Sequence, residues 1–276
     1  MSAHPSAYRF LTSIVLGLSL IAGLLDRSAG TAAAVEQASN PQSWRGLVLQ
    51  GGAIEIKGVN GGITATGSSG GEVELVAVKK GRRSDPHAVK IDVVEHADGV
   101  TICAVYPSTD GKANECAPGK AGRMNVRDND VNVEFKLSVP AGVRFVGRTV
   151  NGGIDARGLQ ADAEAETVNG GVDLDSTGTA RAQTVNGGIT ARLGRADWTG
   201  TLKLATVNGG IDVTLPDGLN ADVQAATVNG DISTDFPITV TGKFGKRKLN
   251  GTVGSGGRLL EMNTVNGGIE LKKAER

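Results

Sequence analysis

Apolar and polar residues alternate with a period of two along most of this chain, and Asn-Gly steps interrupt the alternation at regular intervals. A representative stretch runs Thr206, Val207, Asn208, Gly209, Gly210, then Ile211, Asp212, Val213, Thr214, Leu215. Period-two alternation marks a strand with one face buried. The unit therefore reads as strand, corner, strand, with the glycines supplying the positive φ that a sharp change of direction favours. The hexapeptide T-V-N-G-G-I, or a close variant, places asparagines at Asn151, Asn169, Asn186, Asn208, Asn229 and Asn266. An early copy lies at Asn60 and a degenerate one around Asn250, and the later copies recur roughly every 16 to 22 residues. A period that short is one coil of a repeat protein.

Asn-Gly between two strands would by itself predict a type I′ hairpin. A meander of hairpins has no reason to keep the same letters in copy after copy. A solenoid does, because it stacks equivalent positions about 4.8 Å apart. The expected fold is all-β, a parallel β-solenoid. Val150, Val168, Val185, Val207, Val228 and Val265 are expected to form one inward ladder, and Ile154, Val172, Ile189, Ile211, Ile232 and Ile269 a second. The asparagines are expected to form a structural ladder at the corner, amide on amide. Variable coil lengths then map to loops such as Pro216 to Asn220 and Arg195 to Thr199. An aliphatic interior of this kind fits an aromatic content of 3%.

The organisation along the chain follows from composition. Arg9 precedes an apolar run from Leu11 to Leu25, and a small-residue stretch ends at Ala34, so 1–34 reads as a secretory signal cleaved after Ala34. The run is shorter than a comfortable membrane span. Residues 35–46 read as a linker, 47–140 as an irregular β region that caps the solenoid, and 141–276 as the repeats. Strands are expected at 47–59, 63–66, 73–79, 89–94, 100–106 and 131–139. Lys272, Lys273, Glu275 and Arg276 would close the far end with charge, which discourages end-to-end stacking. Cys103 and Cys116 follow the export signal and flank a Pro-, Gly- and Asp-rich stretch, so a structural disulfide is expected rather than a redox pair.

V-N-G-G-I at Val59 to Ile63, V-T-I-C-A-V-Y-P at Val100 to Pro107, L-S-V-P-A-G-V at Leu137 to Val143, the T-V-N-G-G-I series and a closing G-S-G-G-R-L-L-E-M-N-T-V-N-G-G-I-E-L occur in that order. Together they resemble a candidate-adhesin family of exported bacterial β-solenoids, a domain-of-unknown-function family. The resemblance implies a right-handed β-helix located outside the cytoplasm, periplasmic or at the cell surface. It brings no catalytic residues with it.

Formal net charge is zero and the pI near 6.8, which argues against a nucleic-acid partner. The local basic clusters Lys79 to Arg83 and Lys243 to Lys248 read as solvated loop tips. No catalytic, cofactor-binding or metal-ligating residue is assigned, and no cofactor is implied. His87 and His96 are read as surface residues. The expected function is non-catalytic, an adhesin-like binding or scaffold protein of the cell envelope whose partner is an envelope protein or a polysaccharide. Alternatives are a polysaccharide-processing enzyme on a β-helix and an envelope-stress signalling component. The enzyme reading looks to Asp155, Asp173, Asp212 and Glu270, which would stack on one outer face and could hold calcium, although Thr190 and Ser233 interrupt the row. A third reading takes Thr149, Thr167, Thr184, Thr206, Thr227 and Thr264 as a flat outer face for ordered water. Trp198, in the loop from Arg195 to Gly200, is singled out as a contact residue, the other reading being that it folds over the coil edge.

Overall fold

The computed structural model describes residues 37–38, 41–240 and 245–274. The signal and its cleavage point therefore lie outside the described residues, as do Lys243, Glu275 and Arg276. Two sheets, parallel apart from their caps, share one aliphatic core and form the walls of a β-solenoid. Each coil has one strand in each sheet, joined through an Asn corner. In spatial order the coils pair Ala53–Lys57 with Ile63–Ser68, Arg144–Arg148 with Ile154–Leu159, Ala163–Glu166 with Val172–Ser176, and Ala180–Gln183 with Ile189–Leu193. Thr201–Ala205 with Ile211–Leu215, Leu259–Asn263 with Ile269–Lys273, and Ala221–Ala226 with Ile232–Thr234 complete the stack.

Register is strict. Ile63, Ile154, Val172, Ile189, Ile211, Ile269 and Ile232 stack in one row, and the corner asparagines bridge one another in the same order. The opposite wall narrows to alanine at Ala163, Ala165, Ala180 and Ala182, all buried. Phe145 is accommodated because Gly147 leaves the space beside its ring: a Cβ there would meet Phe145 Cζ at 2.8 Å.

The last repeat does not close the stack. Leu259–Asn263 and Ile269–Lys273 insert between the coil of 201–215 and that of 221–234. Lys272 and Lys273 are therefore inside the stack and do not guard a terminal edge. The terminal coil is capped instead by Lys248–Val253, antiparallel to Ala221–Ala226, and by Ile238–Val240 beyond it. Asn250 lies mid-strand opposite Gln224, so the degenerate copy is not a corner. The N-terminal end mirrors this device. Gly99–Val105 and Asn132–Pro140 extend the two walls in parallel, and Lys90–His96 and Val73–Gly81 cover them antiparallel. Gln42–Gly46, expected as linker, is a further antiparallel strand on Val73–Gly81. Lys79, expected at a loop tip, is buried in that strand and donates to Val89 O at 2.7 Å.

At the corners the side chains are the reverse of expectation. The threonines are buried, whereas the valines that follow them are turned out, 38–39% exposed at Val150, Val168, Val185, Val207 and Val265 and 55% at Val228. The reason is a hydrogen bond that valine cannot make. Each threonine Oγ1 donates to a glycine carbonyl of the adjoining coil, Thr167 to Gly152, Thr184 to Gly170, Thr206 to Gly187, Thr264 to Gly209 and Thr227 to Gly267, each at 2.8 Å. A buried carbonyl without a donor costs about 1–3 kcal/mol, enough to bring a hydroxyl inside. Burial of this row also removes it as an outer face for ordered water.

The same carbonyl explains the first glycine of the corner. A Cβ at Gly209 would lie 2.1 Å from Gly187 O, and Gly170 and Gly187 meet the preceding coil at the same distance. None of these three has positive φ, so close approach, not handedness, excludes a side chain. Thr206→Val, which keeps the shape and loses the donor, should destabilise by about 1–3 kcal/mol in denaturant unfolding. Gly209→Ala should cost more, because backbone must move; equal or smaller effects from both would contradict this account of the corner.

Candidate functional site

The outward corner carries two parallel rows. In the first, Asn151 donates its Nδ2 to Asn60 Oδ1, Asn169 to Asn151, Asn186 to Asn169 and Asn208 to Asn186, each at 2.8 Å, and Asn266 to Asn208 and Asn229 to Asn266 at 2.7 Å. The corner backbone is equally committed: Asn208 N–H donates to Val185 O and Gly209 N–H to Asn266 O. Beside this polar row run the half-exposed valines, one per coil. Single exposed apolar side chains are ordinary, but a contiguous row is the kind of surface that partners bury.

At its N-terminal end the stripe runs into a cleft of about 500 Å³ whose lining includes Val59, Val150, Met124, Val126, Cys103 and Arg148. One wall is the loop from Tyr106 to Asp130. Three fixtures dock this loop onto the solenoid. The Cys103–Cys116 disulfide is formed, with Cα atoms 5.7 Å apart. The Lys57 ammonium donates to the carbonyls of Ala117, Gly119 and Ala121 at 2.8–2.9 Å. Burial lowers the Lys57 pKa, with Glu55 opposing that shift and Arg148 adding to it. The buried Glu55 carboxylate accepts from Arg148 at 2.5 Å, from Thr101 Oγ1 at 2.9 Å and from Gly119 N–H at 2.8 Å. Arg148 also reaches Glu164 at 2.6 Å and Glu166 at 3.2 Å. This network is built to position, since Lys57, Glu55 and Arg148 each already hold three partners within it.

Within the loop, Asp110 is held down to about 2 by the Ser108 hydroxyl first and the Lys112 N–H second, with Asn125 and Arg123 also contributing. Asp130 is likewise at about 2, chiefly through the Ser84 N–H at 2.8 Å. The loop is further closed by Asn114, whose Nδ2 donates to the carbonyls of Tyr106 and Asn125 at 2.9 Å. Burial pushes the Tyr106 phenol up to about 12, and its hydroxyl donates to Val131 O at 2.9 Å.

The other residues singled out in the sequence fall elsewhere. Asp155, Asp173, Asp212 and Glu270 do share one outer row, interrupted by Thr190 between Asp173 and Asp212 and ended by Ser233 beyond Glu270. Cations two positions along the strands interleave with them: Arg157 pairs with Asp155 at 2.6 Å and Asp173 at 3.5 Å, and Lys272 with Asp212 at 2.5 Å and Glu270 at 2.7 Å. The Asp212 hydrogen bond, then that of Glu270, raises the Lys272 pKa. Among the described residues no group of His, Cys, Asp and Glu converges as a metal site. Trp198, singled out as a contact residue, is instead buried; its indole N–H donates to Leu259 O at 3.2 Å and pins the loop to the inserted coil. His87 is exposed on a short 3-10 turn, and His96 meets Thr101 Oγ1 at 3.0 Å. The sequence reading missed the cleft and the Glu55–Arg148–Lys57 cluster; the signal available was the placement of these charges just before the Asn60 and Asn151 corners.

Asp110 and Asp130 have folded pKa values below their unfolded ones, so their contribution is present above about pH 4 and lost as pH falls toward about 2. Hydrogen exchange should show loop amides of 106–130 losing protection between pH 4 and 2 while the corner amides of 167–189 keep theirs. Uniform loss in both segments would contradict a locally held loop. Arg148→Ala, which strands the Glu55 carboxylate, should cost about 3–5 kcal/mol in urea unfolding.

No curated protein matches the chain. Among solved structures it is similar to a candidate cell adhesion protein from Clostridium sporogenes, 13% identical over 85% of this chain and 100% of that one, with a TM-score of 0.42. It is also similar to a candidate adhesin from Bacteroides fragilis, 12% identical over 85% of this chain and 97% of that one, with a TM-score of 0.34. The segment 149–272, which holds all the corner asparagines except Asn60, matches the family described as Toastrack DUF4097, and the family resemblance read from the T-V-N-G-G-I repeats holds for the region that carries them.

Proposed function

We propose that this protein is an exported, non-catalytic, adhesin-like binding or scaffold protein of the bacterial cell envelope, and that its docking face is the valine stripe together with the cleft at its head. The observation that carries the reading is the unbroken row of exposed valines at positions where the strict repeat could have placed any polar residue. A partner protein is favoured over a glycan for this face, because a row of methyl groups beside amides committed to one another offers apolar area and few free hydrogen-bonding groups. Export is supported by the apolar run of 11–25 and by the disulfide, which persists in oxidising compartments. Among the described residues no helix is long and apolar enough to cross a membrane. The carboxylate row counts towards a non-catalytic role, since its members are paired with cations on the same or neighbouring strands.

In cells, a photoreactive side chain at Val185 should give one dominant protein adduct, whereas the same probe at Arg192, on the other wall, should not. The triple variant Val168→Ser, Val185→Ser, Val207→Ser should lose binding to that partner at least tenfold while its unfolding midpoint stays close to wild type. Asn208→Ala should do the opposite, lowering the midpoint without a selective loss of binding. Equal adduct yields at both probe positions, or wild-type binding by the triple variant, would sink the assignment.

A further inference from the structure

A second recess lies on the outer face of the wall formed by Arg144–Arg148, Ala163–Glu166 and Ala180–Gln183, away from the corner stripe. It is a notch of about 320 Å³ roofed by the loop from Arg195 to Thr199, and its lining includes Arg144, Asp162, Thr179, Arg181, Arg195 and Trp198. Its charges are not equally engaged. Arg195 is chelated by Asp197 at 2.7 and 2.9 Å, and Glu164 by Arg148 at 2.6 Å. Arg144 uses only its Nε, on Gly51 O at 3.3 Å. Arg181 is exposed and, among the described residues, its guanidinium has no ion pair or hydrogen bond. Arg181 sits in register with Glu164, whose Oε1 is held by Arg148 at 2.6 Å.

We infer that this notch binds the carboxylate of an acidic saccharide, a uronic acid unit of a glycan. The free guanidinium of Arg181 offers the planar fork that takes a carboxylate through two parallel hydrogen bonds. The rest of the lining suits a sugar ring. Thr179 and Thr199 line it with hydroxyls and Asp162 with a carboxylate that accepts from ring hydroxyls. Balanced charge, with Arg144, Arg181 and Arg195 set against Asp162, Glu164 and Asp197, disfavours a polyphosphate or nucleic acid, which needs an uncompensated cationic field. The volume is at the lower end of small-ligand sites, room for a short stretch of sugar and not a folded partner. This site is independent of the valine stripe, so either can fail alone.

The test is calorimetric titration of the exported chain with trigalacturonate, the neutral galactotriose of the same length, and triglutamate. Trigalacturonate should bind and galactotriose at least tenfold more weakly. Arg181→Ala should lose at least tenfold and Arg181→Lys several-fold, because an ammonium cannot fork, while Arg157→Ala on the other wall and the triple valine variant should bind as wild type. Both Arg181 variants change an exposed side chain, and an unchanged unfolding midpoint will show that they are folded. Equal affinity for the neutral trisaccharide, unaltered binding by Arg181→Ala, or no binding of any probe would overturn the site. Triglutamate binding as tightly as trigalacturonate would overturn the saccharide assignment in favour of an acidic peptide.

Discussion

The glycine carbonyl at each corner is the constraint on which this solenoid depends. The chain must turn from one wall to the other within a few residues, and the turn of one coil lies against the turn of the next. Gly187 O illustrates the crowding: it receives the Thr206 hydroxyl at 2.8 Å and lies where a Cβ on Gly209 would be 2.1 Å away. Two letters of the repeat follow from that one atom, and a third stands beside it. Threonine is needed as donor, glycine is needed for approach, and asparagine completes the corner by bonding to its copies above and below. The valine is the letter that the corner does not require to be apolar, and this is why its exposure carries functional weight.

Stacked walls leave open edges, and open edges invite further strands. Both ends meet this hazard with antiparallel cover, Lys90–His96 and Val73–Gly81 at one end and Lys248–Val253 at the other. The C-terminal end goes further by sending the final repeat back inside the stack. Until Leu259–Asn263 arrives, two coils have unsatisfied edges, so the last residues of the chain are needed to join the terminal coil to the rest.

Much of this architecture was legible in the sequence, and what was not has physical causes. Repeated letters at a short period imply stacked coils, and the isoleucine and asparagine ladders follow from equivalence alone. The valine and threonine rows were assigned to the wrong sides because alternation was carried back through the corner from the isoleucine. Thr167 and Val172 both point inward although an odd number of positions separates them, so the corner resets the parity. Counting forward from Ala163 and Ala165 leads to Thr167 instead, and the buried hydroxyl then needs the glycine carbonyl, which only the stack supplies. The position of the last repeat was illegible for a related reason. Copies with the same letters can stack on any other copy, so sequence order does not dictate spatial order. That Trp198 folds over the coil edge can be read from its place in a loop between coils, but its anchor cannot, because only the inserted coil offers Leu259 O to its indole.

Where the period is obeyed, the solenoid has little freedom: inward positions fill a narrow core, and corner groups are bonded to their own copies. Recesses arise where the period is broken. The cleft exists because the excursion between Tyr106 and Asp130 is folded back and fastened by Lys57, Glu55 and a disulfide. The notch exists because the connection from Arg195 to Thr199 is longer than its neighbours and overhangs the wall. In both places arginines stand on the rigid wall, Arg148 fully engaged at the first and Arg181 free at the second. The same side chain on the same scaffold is a fastener where carboxylates pair with it and stays open to a ligand where they do not. Recesses in such a fold are set by insertions between repeats, with the repeats themselves acting as the straightedge that holds them.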